Sequence, residues 1–111
     1  MYEYKATVNS IVDGDTLSLT IDLGFRMYTK ANCRLHGVNA PELKSEDPAV
    51  RVEAMKSKQY LIDNVKGEVL IISRKLDKYG RPLVDVYYGE KFDKHLNKEL
   101  IDNKLAIEYM Q

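Results

Sequence analysis

Three β-type runs follow one another at the start of the chain, with room between them only for tight turns. Tyr4 to Val12 is rich in β-branched and aromatic residues and reads as a strand. Asp13-Gly14-Asp15 breaks it, and Thr16-Leu17-Ser18-Leu19-Thr20-Ile21 then alternates polar with apolar, the pattern of a strand with one buried face. Asp22-Leu23-Gly24 reads as a turn, and Phe25 to Leu35 as a third strand. Parallel neighbours need a crossover of a dozen residues or so, whereas connections this short only allow each strand to fold back on the last. An antiparallel meander with one apolar face is therefore the first commitment of the fold.

The remaining pattern supplies the cover for that face. His36 to Pro48 is a loop punctuated by Gly37, Pro41 and Pro48. From Ala49 to Val65 the period turns helical, with Ala54, Met55, Leu61, Ile62 and Val65 expected on one face and Gly67 as the C-terminal cap. Glu68 to Leu76, around Val69-Leu70-Ile71-Ile72, reads as a buried strand; Asp77-Lys78-Tyr79-Gly80 is a turn, and Leu83 to Tyr88 alternates again. Phe92, Leu96 and Leu100 recur four apart and mark a second helix to about Asn103, after which Leu105-Ala106-Ile107 reads as a short closing strand. The order βββ–α–ββ–α predicts an α+β, mainly β domain over residues 1–111: a five-stranded OB-fold barrel with two helices. An open α+β sheet is the competing arrangement.

Composition narrows the chemistry. With 111 residues there is room for one hydrophobic core, and the 44% apolar and 31% charged residues are those of an ordinary globule. One cysteine, Cys33, permits no intrachain disulfide, and with only His36 and His95 beside it a closed zinc site is excluded, so any metal should be a hard, oxygen-bound cation. Neither histidine has a partner in the sequence pattern that points to a catalytic triad, and Cys33 reads as a small buried hydrophobe. The formal net charge is +0, which argues against a coat protein held to nucleic acid by bulk charge and leaves open an enzyme with a local cationic cluster. No apolar stretch is long enough to span a bilayer, and the segment from Met1 to Lys5 shows no leader pattern. A cytoplasmic protein is the expectation, with secretion open if a leader has been removed.

Five polar residues interrupt apolar or turn contexts: Asp13 and Asp15 in the strand break, Arg34 at a strand end, Glu42 after Pro41, and Arg81 after a Tyr-Gly turn. Carboxylates and two guanidiniums are the parts of metal-assisted phosphoryl chemistry. A cation neutralises phosphate, arginines grip its oxygens in pairs, and a carboxylate takes the proton of an attacking water. Each residue taken singly has a plainer reading: Asp-Gly as a hairpin corner, Arg34 as a surface strand residue, Glu42 as a solvated carboxylate.

Their joint spacing resembles a known family. Val12-Asp13-Gly14-Asp15-Thr16-Leu17, Cys33-Arg34-Leu35-His36-Gly37-Val38-Asn39-Ala40-Pro41-Glu42, Asp77-Lys78-Tyr79-Gly80-Arg81 and Asn97-Lys98-Glu99-Leu100-Ile101 are similar, in order, to motifs of staphylococcal nuclease and its homologues. The resemblance implies a calcium-dependent nuclease acting on DNA or RNA, in which water attacks phosphorus in line and 3′-phosphate ends remain. It implies Asp15 as a direct Ca²⁺ ligand, Asp13 as its acidic neighbour behind the metal, and Ala40 as a backbone-carbonyl ligand. It implies Glu42 as general base, Arg34 and Arg81 as the phosphate clamp, and Lys78, Tyr79 and Tyr109 as contacts to the rest of the substrate.

The chain departs from the family pattern at two points. Asn39 stands where the best-known member has a calcium-binding aspartate; its amide oxygen still suits Ca²⁺, with one charge fewer, and other divalent cations become possible. The family's further C-terminal helix has no counterpart before Gln111, so a monomer or a homodimer formed over the bared surface is expected. The alternative to a nuclease is a catalytically weakened OB-fold module that binds nucleic acid or protein without cutting, and a purely structural role ranks third.

Overall fold

The computed structural model describes residues 2–111; Met1, the first residue of the expected domain span, lies outside the described residues. The elements in chain order are β1 (Tyr2–Asp13), β2 (Thr16–Gly24), β3 (Met27–Leu35), β4 (Val38–Asn39), α1 (Pro48–Asn64), β5 (Glu68–Leu76), β6 (Pro82–Tyr88), β7 (Lys94–His95), α2 (Leu96–Asp102) and β8 (Ile107–Glu108).

The expected meander forms, and β1 is its hub. Its first half, Tyr2–Thr7, pairs antiparallel with β5, and its second half, from Ala6 to Asp13, pairs with β2. A register shift between Val8 and Ser10 bends the strand between its two partners, which is how a bulge turns a sheet into a wall. The order β3-β2-β1-β5-β6-β7 then closes on itself through a parallel contact of β3 with β6, Arg34 opposite Leu83 and Leu35 opposite Val84. The result is a closed, mixed, five-stranded barrel with two helices, and the open-sheet alternative falls away.

Alternation fills the interior. Leu17, Leu19, Cys33, Leu35, Val69, Ile71, Val84 and Val86 are fully buried, with Leu61 and Val65 at the end of α1 and Leu96 and Leu100 of α2 packed against them. Burial pushes the Cys33 thiol up to about 11, as befits a cysteine used for packing. Asn97 is the buried polar residue that ties α2 down: its amide nitrogen donates to the carbonyls of His36 (2.9 Å) and Val84 (3.0 Å), and its Oδ1 accepts from the Val86 amide (3.0 Å).

Several boundaries differ from the sequence reading, each for a local reason. The β2–β3 turn is Phe25-Arg26 rather than Asp22-Leu23-Gly24; both residues have positive φ (54° and 62°), and Gly24 pairs with Met27. On α1 the buried residues are Ala54, Ser57 and Leu61, while Met55 and Ile62 face solvent, because small side chains are needed where the helix lies on the barrel. The C-cap is Val65, whose amide donates to the Leu61 carbonyl; Gly67 serves the turn beyond it. Phe92 is not helical: with φ at 52° it belongs to a turn, and β7 pairs with β6 before α2 begins at Leu96. The last strand is Ile107–Glu108, and instead of closing the barrel it pairs with β4, which lies inside the segment expected to be a plain loop. Among the described residues no helix is long and apolar enough to cross a membrane.

Gly14, at the break between β1 and β2, is where the barrel, α1 and the loop after β4 meet. A Cβ there would lie 2.7 Å from the Cβ of Ser57 and 2.9 Å from that of Ala40. Gly14→Ala is therefore expected to destabilise the fold by about 1–3 kcal/mol through overpacking, read from the midpoint of urea unfolding. An unchanged midpoint would mean that the three segments are not in this contact.

Candidate active site

Barrel closure assembles the site. The β3–β6 pairing sets Arg34 opposite Leu83, two residues from Arg81, and the β4–β8 pairing brings the end of the chain alongside. The Tyr109 amide donates to the Gly37 carbonyl (2.9 Å), which leaves the Tyr109 ring 5.7 Å from the Arg34 guanidinium carbon. An open cleft of about 550 Å³ results, and Arg34, Asn39, Glu42, Lys78, Tyr79, Arg81 and Tyr109 all line it. Seven residues singled out in the sequence thus share one concavity, although they come from five separate segments.

Asp13, Asp15 and Ala40 do not line that cleft; they are joined to it through Arg34, which pairs with Asp15. Asp15 is 5% exposed. Its Oδ2 accepts from the Ala40 amide (3.0 Å) and pairs with Arg34 Nη1 (3.0 Å), and its Oδ1 accepts from the Thr16 hydroxyl (3.1 Å). Asp13 Oδ1 accepts from the Asp15 amide (3.0 Å), the turn that an Asp-Gly-Asp break makes readily. Burial, reinforced by the neighbouring Asp15, raises the Asp13 carboxyl to about 6. Burial also pushes Asp15 upward, but hydrogen bonds from Asp13, the Ala40 amide and Thr16, with the Arg34 charge, outweigh it and hold Asp15 below the usual carboxylate range.

The second arginine is positioned by a residue that the sequence reading quoted only as part of a motif. Asp77 accepts from the Arg81 side chain at Oδ2 (2.8 Å) and from the Arg81 and Tyr79 amides at Oδ1 (2.8 and 2.9 Å). Burial pushes the Asp77 carboxyl up, but these donors together, with the Arg81 charge, outweigh it and hold the group below its ordinary value. The Tyr79 ring lies 5.5 Å from the Arg81 guanidinium carbon and 5.2 Å from Lys78 Nζ. The turn signal Asp-x-x-Gly was legible in the sequence; its use as a clamp on Arg81 was not. Lys75, also missed, lines the cleft and donates to the Gln111 carbonyl (2.8 Å). With Arg34, Lys75, Lys78 and Arg81 facing Glu42 and Asp77, the cleft is locally cationic in a chain of zero net charge.

His95, read from the sequence as a structural or exposed residue outside any triad, pairs with Asp85: its Nε2 lies 3.1 Å from Asp85 Oδ1, and its ring stacks on Tyr87 at 4.5 Å. Asp85 also takes Arg74 Nε at 2.6 Å, so the group is an ion-pair cluster on the barrel wall, outside the cleft.

The donors around Arg34 bear on whether a cation belongs here. Its Nη2 donates to the Val38 carbonyl and to Asn39 Oδ1, both at 3.2 Å, while Nη1 holds Asp15. A carboxylate, an amide oxygen and a carbonyl therefore converge on one guanidinium. An all-oxygen set is what Ca²⁺ takes, so the donors fit that ion in type. Among the described residues no group of three or more His, Cys, Asp and Glu side chains gathers as a metal site, so most of the ligands would be neutral oxygens.

The comparison with protein families gives one result: the model of the staphylococcal nuclease homologue family matches residues 32–111. No curated protein matches the chain.

The acidic pair also fixes a pH dependence. A carboxyl raised to about 6 in the folded state from an ordinary 3.8 binds its proton more tightly folded than unfolded, so Asp13 costs stability as pH climbs from about 4 to 6 and beyond. Asp13→Asn keeps an oxygen for the Asp15 amide and removes that cost. Its melting temperature is expected to exceed the wild type's at pH 7.5, and the difference to shrink as pH falls toward 4. A variant less stable at every pH would show Asp13 to be held as a favourable carboxylate.

Proposed function

The chain belongs to the staphylococcal nuclease homologue family, and from that premise we propose that it hydrolyses phosphodiester bonds of DNA or RNA in the cleft between Arg34 and Arg81. The observation that carries the reading is the convergence of two guanidiniums and Glu42 on a single cationic concavity, whose other lining carboxylate, Asp77, is held by Arg81. Glu42 forms no ion pair among the described residues; a binding surface has no need of such a carboxylate among cations, whereas a hydrolytic site does.

The residues divide the work by their chemistry. Arg81, fixed by Asp77, presents a pre-oriented fork to the phosphate oxygens and stabilises the charge that grows on them in the transition state. Arg34 spends three contacts on Asp15, Val38 and Asn39, which leaves further N–H donors for the same phosphate. Glu42, exposed at the cleft, takes a proton from a water as its oxygen bonds to phosphorus in line. The bond from phosphorus to the 5′ oxygen breaks, the departing oxygen takes a proton from solvent, and a 3′-phosphate end remains. Tyr79 and Tyr109 offer rings on either side for bases or sugars, and Lys78 meets a neighbouring phosphate. A Ca²⁺ or similar divalent cation held by Asp15, Asn39 and the Ala40 carbonyl, with Asp13 behind, would neutralise the phosphate and polarise the P–O bond.

A second reading, a module that binds without cutting, is favoured by one observation: Asn39 leaves the cation site short of a charge, and its amide oxygen is already engaged by Arg34. Incubation with single-stranded DNA and RNA, with Ca²⁺ or with a chelator, separates the two. Cleavage should require the cation, and Glu42→Gln should slow it by about 10²- to 10⁴-fold. Cleavage indifferent to both would remove the mechanism, and tight binding without cleavage would establish the second reading.

A further inference from the structure

We propose that the outward face of β3 is a track for single-stranded nucleic acid, carrying the strand from Arg34 to the tip of the β2–β3 hairpin. The proposal rests on the phosphodiesterase reading of the cleft and extends that site by a second stretch of substrate contact.

The face is defined by register. Cys33 and Leu35 are buried in the core, so the period-two alternation of a strand turns Arg34, Asn32, Lys30 and Tyr28 the other way. The ladder with β2 runs without a shift from Arg34 opposite Thr16 to Tyr28 opposite Asp22, so the four side chains stay on one line. Asn32 and Lys30 are exposed, Tyr28 is 63% exposed, and at the tip Phe25 is 99% exposed. From Arg34 to Tyr28 the line is about 20 Å long, at a rise of about 3.3 Å per residue.

The chemistry of the line suits a flexible polyanion with flat bases. Lys30 forms no ion pair among the described residues, which leaves its charge for an external partner. Asn32 offers neutral donors and acceptors between the two cations. Tyr28 and Phe25 present uncovered rings at the far end, and stacking on an aromatic is how single strands are held without sequence preference. Phe25 and Arg26 hold positive φ in a two-residue turn that Asn-Gly would make without strain, so the tip displays large side chains where small ones are usual. The line begins at Arg34, which lines the cleft, so a strand that fills the cleft meets the first residue of the line.

The same strand has an open edge, since β3 pairs with β6 only at Arg34 and Leu35. A second copy adding its own strand there is the competing occupant. Lys30 in the middle of that edge opposes it, because a charge so placed is a usual guard against edge-to-edge pairing.

The test uses the full chain with Glu42→Gln to suppress cutting, Ca²⁺ present, and fluorescence anisotropy of labelled oligothymidylates of about 3 and about 12 nucleotides, bracketing the lengths a barrel of this size engages. The longer strand should bind at least about tenfold tighter, and Tyr28→Ala or Lys30→Glu should cut that long-to-short ratio by about five- to tenfold. A ratio unchanged in both variants overturns the track and leaves the cleft standing. Failure of both oligonucleotides to bind overturns the cleft reading with it. A wild-type dimer in sedimentation that Tyr28→Ala dissociates gives the edge to a second copy and overturns the track.

Discussion

The barrel closes through two residues, Arg34 and Leu35, which reach from the end of β3 to Leu83 and Val84 of β6. Leu35 seals the core from its side of the strand, and Arg34, one residue away, is turned by the same alternation to the outside. The contact that completes the hydrophobic interior therefore also delivers a guanidinium to the rim, two residues in register from Arg81. The Leu35 amide donates to the Asp15 carbonyl (2.8 Å) and the His36 amide to that of Val84 (2.8 Å), so the strand break carrying the acids is fastened to the same seam. Loosening this seam would cost core, acids and clamp together.

The electrostatics follow from that placement. A carboxylate as buried as Asp15 is costly unless paired, and Arg34 with two further donors supplies the pairing. Asp13, without such partners, meets the same burial and keeps its proton to higher pH. Asp15 thus holds Arg34 in place from behind, while Arg81 is held from the side by Asp77. Two arginines with separate anchors face one cleft. This reconciles a chain of zero net charge with the proposed phosphate substrate: the cationic character is local to the cleft.

What the sequence made legible follows the range of the forces involved. Strands read well because period-two burial is a local pattern: β5 begins and ends at the expected residues, Glu68 and Leu76. Helix faces and turns read less well where tertiary contact decides. Met55 and Ile62 look like core by spacing, yet the helix turns Ala54 and Ser57 inward because Gly14 and Ala40 leave no room for more. Phe92 fits a helical repeat, yet β6 claims Lys94 and His95 as a strand first. The β2–β3 turn slipped to Phe25-Arg26, residues that no turn preference would select. Of the site, the arginines and Glu42 were visible as interruptions of pattern and through family resemblance. Asp77 as the holder of Arg81, Asp15 as the holder of Arg34, and Asp85 as the partner of His95 depend on the folded arrangement and carry no signal in a single sequence.

Barrel closure brings the side-chain oxygens of Asp15 and Asn39 together around Arg34, and we propose that they hold a divalent cation. Calorimetric titration of Ca²⁺ into the wild-type chain and into Asn39→Asp tests it most directly, because the substitution adds one negative charge to the proposed ligand set and little else. Measurable Ca²⁺ binding that is clearly tighter in Asn39→Asp is expected. Equal affinity in the two proteins would mean that residue 39 does not reach the metal, and no binding in either would contradict the cation site altogether.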